Sequence, residues 1–381
     1  MSLSLTLSLV SLAIWGYLLT FRGAFWLSRE RDDVGSEGHV AVWPSVTAIV
    51  PARDEADVIA RSVGSLLRQD YPGQLHVIVV DDQSSDGTAE AARALPSGGR
   101  LEVLRGSERP SGWTGKLWAL KQGIMHADAG SPPDFYWFTD ADIAHSPDNL
   151  RRLIERMTSS NHVMVSLMAK LHCESFAERL LIPAFVFFFE MLFPFSWVND
   201  RSRPTAAAAG GCILLRREAL ERAGGIDSAR HEIIDDCALA RRLKSQGAIW
   251  LGLTERAVSL RRYDRIRDVE RMVARSAFAE LDYSAVRLIG TIAGMAVTFL
   301  VPPLVFAFGG EEKRVVAALV WCCMALSFMP MLRFYRLTPL WGFALPLIAV
   351  FYTAFTIASA IQFWSGRGGR WKGRIQAMKE T

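Results

Sequence analysis

The sequence predicts an α/β fold built on an open, mainly parallel sheet flanked by helices, with apolar helices before and after it. Three observations carry this. Short β-branched runs alternate with helix-period segments through the first part of the chain, as in β–α–β units. One run, Leu75 to Val80, is apolar at nearly every position, the pattern of a strand covered on both faces. The longest uncharged stretches lie at the two ends of the chain.

Leu3 to Phe21 carries no charge and is followed by Arg22, Arg29 and Arg31. Its length suits one bilayer crossing, which needs about 20 residues. A secretory leader would need a basic start, and Met1 to Thr20 contains neither Lys nor Arg. The expectation is a retained anchor over residues 1–27 with its basic flank cytoplasmic. Ser45 to Val50 then reads as a strand, Asp57 to Gln69 as a helix, Leu75 to Val80 and Leu101 to Leu104 as strands. Lys116 to His126 reads as a helix and Phe135 to Phe138 as another strand. Ligands of such sheets bind beyond the carboxyl ends of the strands.

Those ends carry acidic or turn residues: Pro51-Ala52-Arg53-Asp54-Glu55, Asp81 to Thr88, and Thr139-Asp140-Ala141-Asp142. Converging carboxylates repel unless a cation or hydrogen-bonding ligand lies among them. An Asp-x-Asp pair offers oxygen ligands suited to Mg2+ or Mn2+, which take phosphate oxygens as further ligands. A phosphate-loop hydrolase is disfavoured, because Pro110 stands where the loop needs Gly and Leu117 where it needs Ser or Thr. The G-x-G-x-x-G dinucleotide fingerprint is missing after the first strand.

The chain has 381 residues, half hydrophobic, with 43 basic and 39 acidic side chains and a net charge of +4. That balance gives no argument for nucleic acid. A charged fraction of 22% is too low for a disordered chain, and a mean hydropathy of +0.17 is high for a soluble enzyme. The five cysteines show no C-x-x-C spacing, so neither a disulfide framework nor a zinc site is indicated.

Near the other end Val286 to Phe308, Val315 to Met331 and Pro339 to Trp364 read as about three C-terminal spans over 285–366. The basic tail 367–381 (Arg367, Arg370, Lys372, Arg374) would then face away from the cytoplasmic domain, against the positive-inside tendency. The Pro302-Pro303 pair makes the first stretch the weakest span, and the count stays open. Leu180 to Phe195 is also apolar but interrupted by Pro183, Glu190 and Pro194. A crossing there would separate Asp82 and Asp142 from residues that follow it. The expectation is an interfacial helix at 176–198, with a buried core helix as its alternative.

The segments PARDE (Pro51–Glu55), VDDQSSDGT (Val80–Thr88), GWTGKLWA (Gly112–Ala119) and TDAD (Thr139–Asp142) resemble family-2 glycosyltransferases of the GT-A fold. AGGCILL (Ala209–Leu215), GGID (Gly224–Asp227) and IDDCAL (Ile234–Leu239) follow in the same order. The resemblance covers residues 45–280, inside a domain set at 40–284. More narrowly, GWTGKLWA, LIPAFVFFFEMLFPFSWVND and IIDDCALARRLK are similar to hopanoid-associated membrane glycosyltransferases. Carotenoid and ceramide glycosyltransferases look like more distant relatives.

The resemblance implies a nucleotide-sugar donor, a lipid acceptor (a hopanoid in the narrowest reading), and attachment to the inner membrane with the catalytic domain in the cytoplasm. Pro51, Ala52, Arg53, Asp54 and Glu55 would line the donor pocket, with Asp82 accepting hydrogen bonds from the base. Lys116 would lie near the donor. Asp142 would bind the metal, with Asp140 supporting it or contacting the donor. Asp236 matches the family's catalytic base, and its neighbour Asp235, which replaces a more common Glu, is assigned to the catalytic pair with it; simple N-capping of the helix is the alternative for the two. The closing Gln/Arg-x-x-Arg-Trp motif of membrane relatives is altered. Arg271 and Arg275, one helical turn apart, would meet diphosphate or lipid headgroups, and no Trp follows them. That departure and the few C-terminal spans disfavour polysaccharide synthesis. A non-catalytic binding scaffold is the remaining alternative. His231 reads as a solvent-facing loop residue, Arg261-Arg262-Tyr263-Asp264 as an interfacial anchor or phosphate contact, and Cys322-Cys323 as packing residues.

Overall fold

The computed structural model describes residues 3–33, 40–371 and 374–375. The chain divides into two compact units.

The α/β unit comprises Glu30–His172, Trp197–Arg261 and the segment from Arg370. Its strands are β1 (Val46–Ala52), β2 (Leu75–Asp81), β3 (Leu101–Arg105), β4 (Phe135–Thr139), β5 (Ile143–His145), β6 (Met164–Lys170), β7 (Cys212–Arg216) and β8 (Ile249–Ser259). They form one eight-stranded sheet in the order β3-β2-β1-β4-β7-β6-β8-β5. β1 is parallel to β2 and β4, β2 to β3, and β6 to β8. Only β7, between β4 and β6, and the short β5, beside β8, run antiparallel to their neighbours. The expected mainly parallel α/β sheet is therefore the observed one. β1 is buried at all seven positions, as its β-branched sequence implies for a strand covered on both faces. Pro51 sits inside β1, yet pairing with β4 ends at Ile49. The missing N–H of Pro51 thus costs no ladder bond on that side.

The helical unit comprises Met1–Arg29, Cys173–Ser196 and Arg262–Gly369. Among its described residues, four helices are long and apolar enough to cross a membrane: Leu3–Phe21, Ala285–Phe308, Glu311–Phe334 and Pro339–Trp364. The Pro302-Pro303 pair does not end the second of these. Pro302 has no N–H to offer the Thr298 carbonyl, and the ladder widens into a π-helical turn over Ala296–Leu300. The orphaned Thr298 carbonyl instead accepts from the Trp15 indole N–H at 3.0 Å and the Ser11 hydroxyl at 3.3 Å. An apolar environment requires such a replacement. Of the tail 367–381, residues 372–373 and 376–381 lie outside the described residues.

The segment expected as an interfacial helix is the helix Phe176–Leu192, begun by a capping box of Ser175 and Glu178. It is a core helix of the helical unit rather than an exposed amphipathic strip. Phe187 packs against Phe25 and Phe328 (ring centroids 5.3 and 5.1 Å), and Phe188 against Phe299 and Tyr352 (5.7 and 5.0 Å). Glu178 is fully buried and accepts backbone N–H bonds from Ser175 and Tyr263 at 2.8 and 2.7 Å. Glu190 accepts the Ser28 hydroxyl at 2.8 Å. The charged interruption of the apolar run, Glu190, is thus satisfied inside the unit. This is why 173–196 and the segment from Arg262 group with the apolar helices and not with the domain expected at 40–284. Phe187→Ala should destabilise the chain by about 3 kcal/mol or more through the cavity it leaves, read as a lowered melting midpoint in detergent.

Candidate active site

The loops after β1 and β2 are tied together by side chains acting on backbone. The Asp54 N–H donates to Ser84 Oγ at 2.9 Å, and Asp54 Oδ1 accepts the Ser85 N–H at 2.9 Å. The Glu55 N–H donates to Thr88 Oγ1 at 2.8 Å. These bonds hold Asp54 at φ 49°, a left-handed conformation that a non-glycine residue keeps only under such constraint. Asp82 is buried, its N–H donating to the Ala52 carbonyl at 2.8 Å. Arg53 hydrogen-bonds the Asp82 carbonyl and sets its guanidinium 3.7 Å from the Asp82 carboxylate. Pro51 to Glu55 and Asp82 therefore form one rim.

The second group forms where β4 ends. Asp140 opens a turn closed by the Ile143 N–H on its carbonyl at 3.2 Å. Beneath it runs a buried relay. Asn149 Nδ2 lies 3.0 Å from His145 Nδ1, His145 Nε2 lies 2.8 Å from Thr139 Oγ1, and Thr139 Oγ1 donates to the Gly211 carbonyl at 3.0 Å. Burial pushes the His145 pKa down to about 3. The ring is therefore neutral, and with an amide N–H facing Nδ1 its proton belongs on Nε2. The relay braces the Asp140–Asp142 turn against Gly210-Gly211.

Lys116 enters this group from the first turn of the helix Gly115–Ala129, which Thr114 caps through the Leu117 N–H. Its Nζ lies 2.8 Å from Asp140 Oδ1 and 3.6 Å from Asp235 Oδ2. Burial disfavours the ammonium, but Asp140, Asp235 and Asp236 outweigh that and raise its pKa, so it stays charged. Asp235 and Asp236 occupy the first turn of the helix Asp235–Lys244, whose N-cap is Ile234. They are not N-caps. Asp236 Oδ2 instead accepts the Gly210 N–H at 2.9 Å, and Oδ1 the Cys237 N–H at 2.8 Å. A Cβ at position 210 would sit 2.9 Å from Lys116 Nζ and 3.3 Å from Asp236 Oδ2, so glycine leaves both charged ends where they are.

A cavity opens beside these groups, with an apolar wall that includes Leu117, Phe138, Ile213 and Leu239. Burial is the first cause that pushes the Asp236 carboxyl up to about 6, and the neighbouring Asp235 charge adds to it. Lys116 and the two backbone N–H groups act in the opposite direction. A carboxylate with a pKa near neutrality is the property wanted in a general base.

The remaining carboxylates meet at Arg261, just past β8. Its Nε lies 2.8 Å from Asp142 Oδ2 and its Nη2 2.7 Å from Glu55 Oε1. Nothing along the chain marks this bridge, because its partners lie 119 and 206 positions away. The relay through Thr139, His145 and Asn149 was equally unmarked. Arg271 lies on the helix Ile266–Ala274 of the helical unit, largely exposed, and pairs with Asp268 at 3.8 Å. Arg275 ends that helix. His231 is exposed, its Nε2 accepting from Arg230 at 2.8 Å. None of the five cysteines is in a disulfide.

Asp140 and Asp142 each offer carboxylate oxygens, and here they turn to different cations, Asp140 to Lys116 and Asp142 to Arg261. Among the described residues no group of three or more His, Cys, Asp or Glu side chains converges as a metal cage. Carboxylate oxygens of this kind suit Mg2+ or Mn2+, which is commonly held by one or two carboxylates plus water and substrate phosphate.

Residues 47–224 match the family model described as glycosyl transferase family 2. Among curated proteins, the chain is 28% identical over 208 residues to a 4,4'-diaponeurosporenoate glycosyltransferase of Staphylococcus aureus (strain bovine RF122 / ET3-1), covering 53% of this chain and 52% of that one. The counterpart from strain USA300 matches to the same extent. The chain thus spans about half the length of the curated relatives it matches. Among solved structures, it is similar to a mannosyltransferase from Pyrobaculum calidifontis in complex with GDP-Man and Mn2+, at 20% identity and a TM-score of 0.55. That likeness covers 95% of this chain and 99% of the other. With the sheet described above, it shows the GT-A fold.

Proposed function

We propose that the chain is a membrane-bound, inverting glycosyltransferase that moves a sugar from a nucleotide-diphosphate sugar to the hydroxyl of a lipid. The observation that carries this reading is the constellation of Lys116, Asp140, Asp235 and Asp236, in which a partly buried carboxylate with a raised pKa faces a cavity beside a fixed cation. The family match over residues 47–224 supports the reaction class. The four apolar helices support attachment to a membrane, and the catalytic unit is assigned to the cytoplasmic face of the inner membrane by the basic flank Arg22, Arg29 and Arg31.

Asp236 takes the proton of the acceptor hydroxyl as that oxygen bonds to the anomeric carbon, while the bond to the diphosphate breaks with its electron pair leaving on the diphosphate oxygen. Attack opposite the leaving group inverts the anomeric centre. Lys116 stays cationic throughout and limits the repulsion among Asp140, Asp235 and Asp236. Pro51, Ala52, Arg53, Asp54, Glu55 and Asp82 bind the nucleoside. Asp140 and Asp142 would hold a Mg2+ or Mn2+ ion, which when bound supplies Lewis-acid stabilisation of the departing diphosphate. Arg271 and Arg275 are assigned to anionic lipid headgroups, in keeping with the exposure of Arg271.

The acceptor class is a polyisoprenoid-derived lipid. Two likenesses support it: the name of the Staphylococcus aureus relative, and the motifs shared with hopanoid-associated enzymes, which point to a hopanoid. The test is to incubate membranes containing the full chain with a panel of labelled nucleotide-sugars, extract the lipids and weigh them. Label appearing in one lipid, dependent on the chain, is the expected result. Label entering only polymer would favour polysaccharide synthesis, and none from any donor would favour a scaffold.

A further inference from the structure

Arg261 joins the donor rim to the turn carrying Asp140 and Asp142. One guanidinium nitrogen meets Asp142 at 2.8 Å and another meets Glu55 at 2.7 Å. The backbone beside it is locked to the same turn: Ser259 pairs with Ile143 across β5 and β8, and the Leu260 N–H donates to the Asp142 carbonyl at 2.7 Å. The side chain itself is 37% exposed. Its base is therefore fixed, while its charged end reaches the solvent side of the rim. Asp142 is also the carboxylate that the proposed function assigns to the metal, so the guanidinium occupies charge that a divalent ion would otherwise neutralise.

We propose that Arg261 is a built-in counter-cation that holds the Asp142 and Glu55 carboxylates in the absence of donor and yields them when a nucleoside diphosphate arrives to accept its guanidinium. A guanidinium matches a carboxylate or a phosphate in the same forked geometry. It can therefore exchange one partner for the other without losing charge-assisted hydrogen bonds. Without donor, a divalent ion must displace a cation already paired with two carboxylates, so metal binding is weak. With donor, the guanidinium moves to the diphosphate and Asp142 is released. Metal and nucleotide then favour each other's binding, with a coupling typically of about 5- to 150-fold.

This inference rests on the donor-site reading of Asp142, and the experiment separates the two. Mn2+ is titrated into the full chain in detergent, free ion being followed by electron paramagnetic resonance, and UDP and GDP with Mg2+ are titrated separately by calorimetry. Arg261→Gln is expected to bind Mn2+ alone about 10-fold or more tightly than the parent and to bind the preferred nucleoside diphosphate about 10-fold or more weakly. A purely structural role for Arg261 would weaken both together. Arg261→Lys, which keeps the charge but cannot send separate nitrogens to two carboxylates, should fall between, and it serves if Arg261→Gln does not fold. Mn2+ affinity that is unchanged or lower in both folded variants overturns the counter-cation. If neither parent nor variants bind Mn2+ or either nucleotide, the donor-site reading falls and this inference with it.

Discussion

Asp236→Asn should reduce sugar transfer by about 10²–10⁴-fold, the usual contribution of a positioned base, and leave nucleotide-sugar binding essentially intact. The amide keeps the shape and its single oxygen still accepts the Gly210 N–H, but it cannot also accept the Cys237 N–H and it cannot take a proton. The same change should make the chain more stable, because the parent carboxyl is pushed from 3.8 up to about 6 on folding. A carboxyl with a raised folded-state pKa lowers stability once pH exceeds its unfolded value, and the full cost is reached above the folded one. The advantage of the variant should therefore grow between about pH 4 and 6 and level off above that, at no more than about 3 kcal/mol. Thermal melting in detergent at pH 4.5 and 7.5 (roughly the two ends of that window) measures it. Transfer retained within about tenfold would remove Asp236 from the role of base.

Lys116→Met should cost about 10²-fold or more in transfer, as expected when one preorganised charge is removed from a water-poor site, and it should also change the pH dependence. In the parent, transfer should fall as pH drops through about 6, where Asp236 becomes protonated and can no longer accept the acceptor's proton. Lys116 holds that pKa down against burial and against Asp235. Without it the acid limb should move to higher pH, with Lys116→Arg keeping most of the parent profile. A rate loss with an unmoved limb would show that Lys116 only supports the fold around Asp140. The direct measurement is initial rate against pH at saturating donor for the three proteins.

Much of the α/β unit was legible because its strands are buried on both faces and say so locally. The expected Leu75 to Val80 became β2 at Leu75–Asp81, and Phe135 to Phe138 became β4 at Phe135–Thr139. The later strands were harder. β7 runs antiparallel between β4 and β6, and no residue in Cys212–Arg216 announces a direction. The apolar run 180–195 was ambiguous for a related reason. Its composition fits a membrane surface and a core equally, and only its aromatic neighbours show that Phe187 and Phe188 are enclosed.

The sequence by itself determined the alternation of strands and helices, the apolar ends, and the acidic clusters at the strand termini, since each follows from local periodicity or from neighbours along the chain. Tertiary structure alone decided which charges meet. Arg261 reaches Asp142 across 119 positions and Glu55 across 206, and Lys116 joins Asp140 to Asp235. It also decided the proton affinity of Asp236, because desolvation depends on what closes over a carboxylate in space, and no spacing along the chain records that.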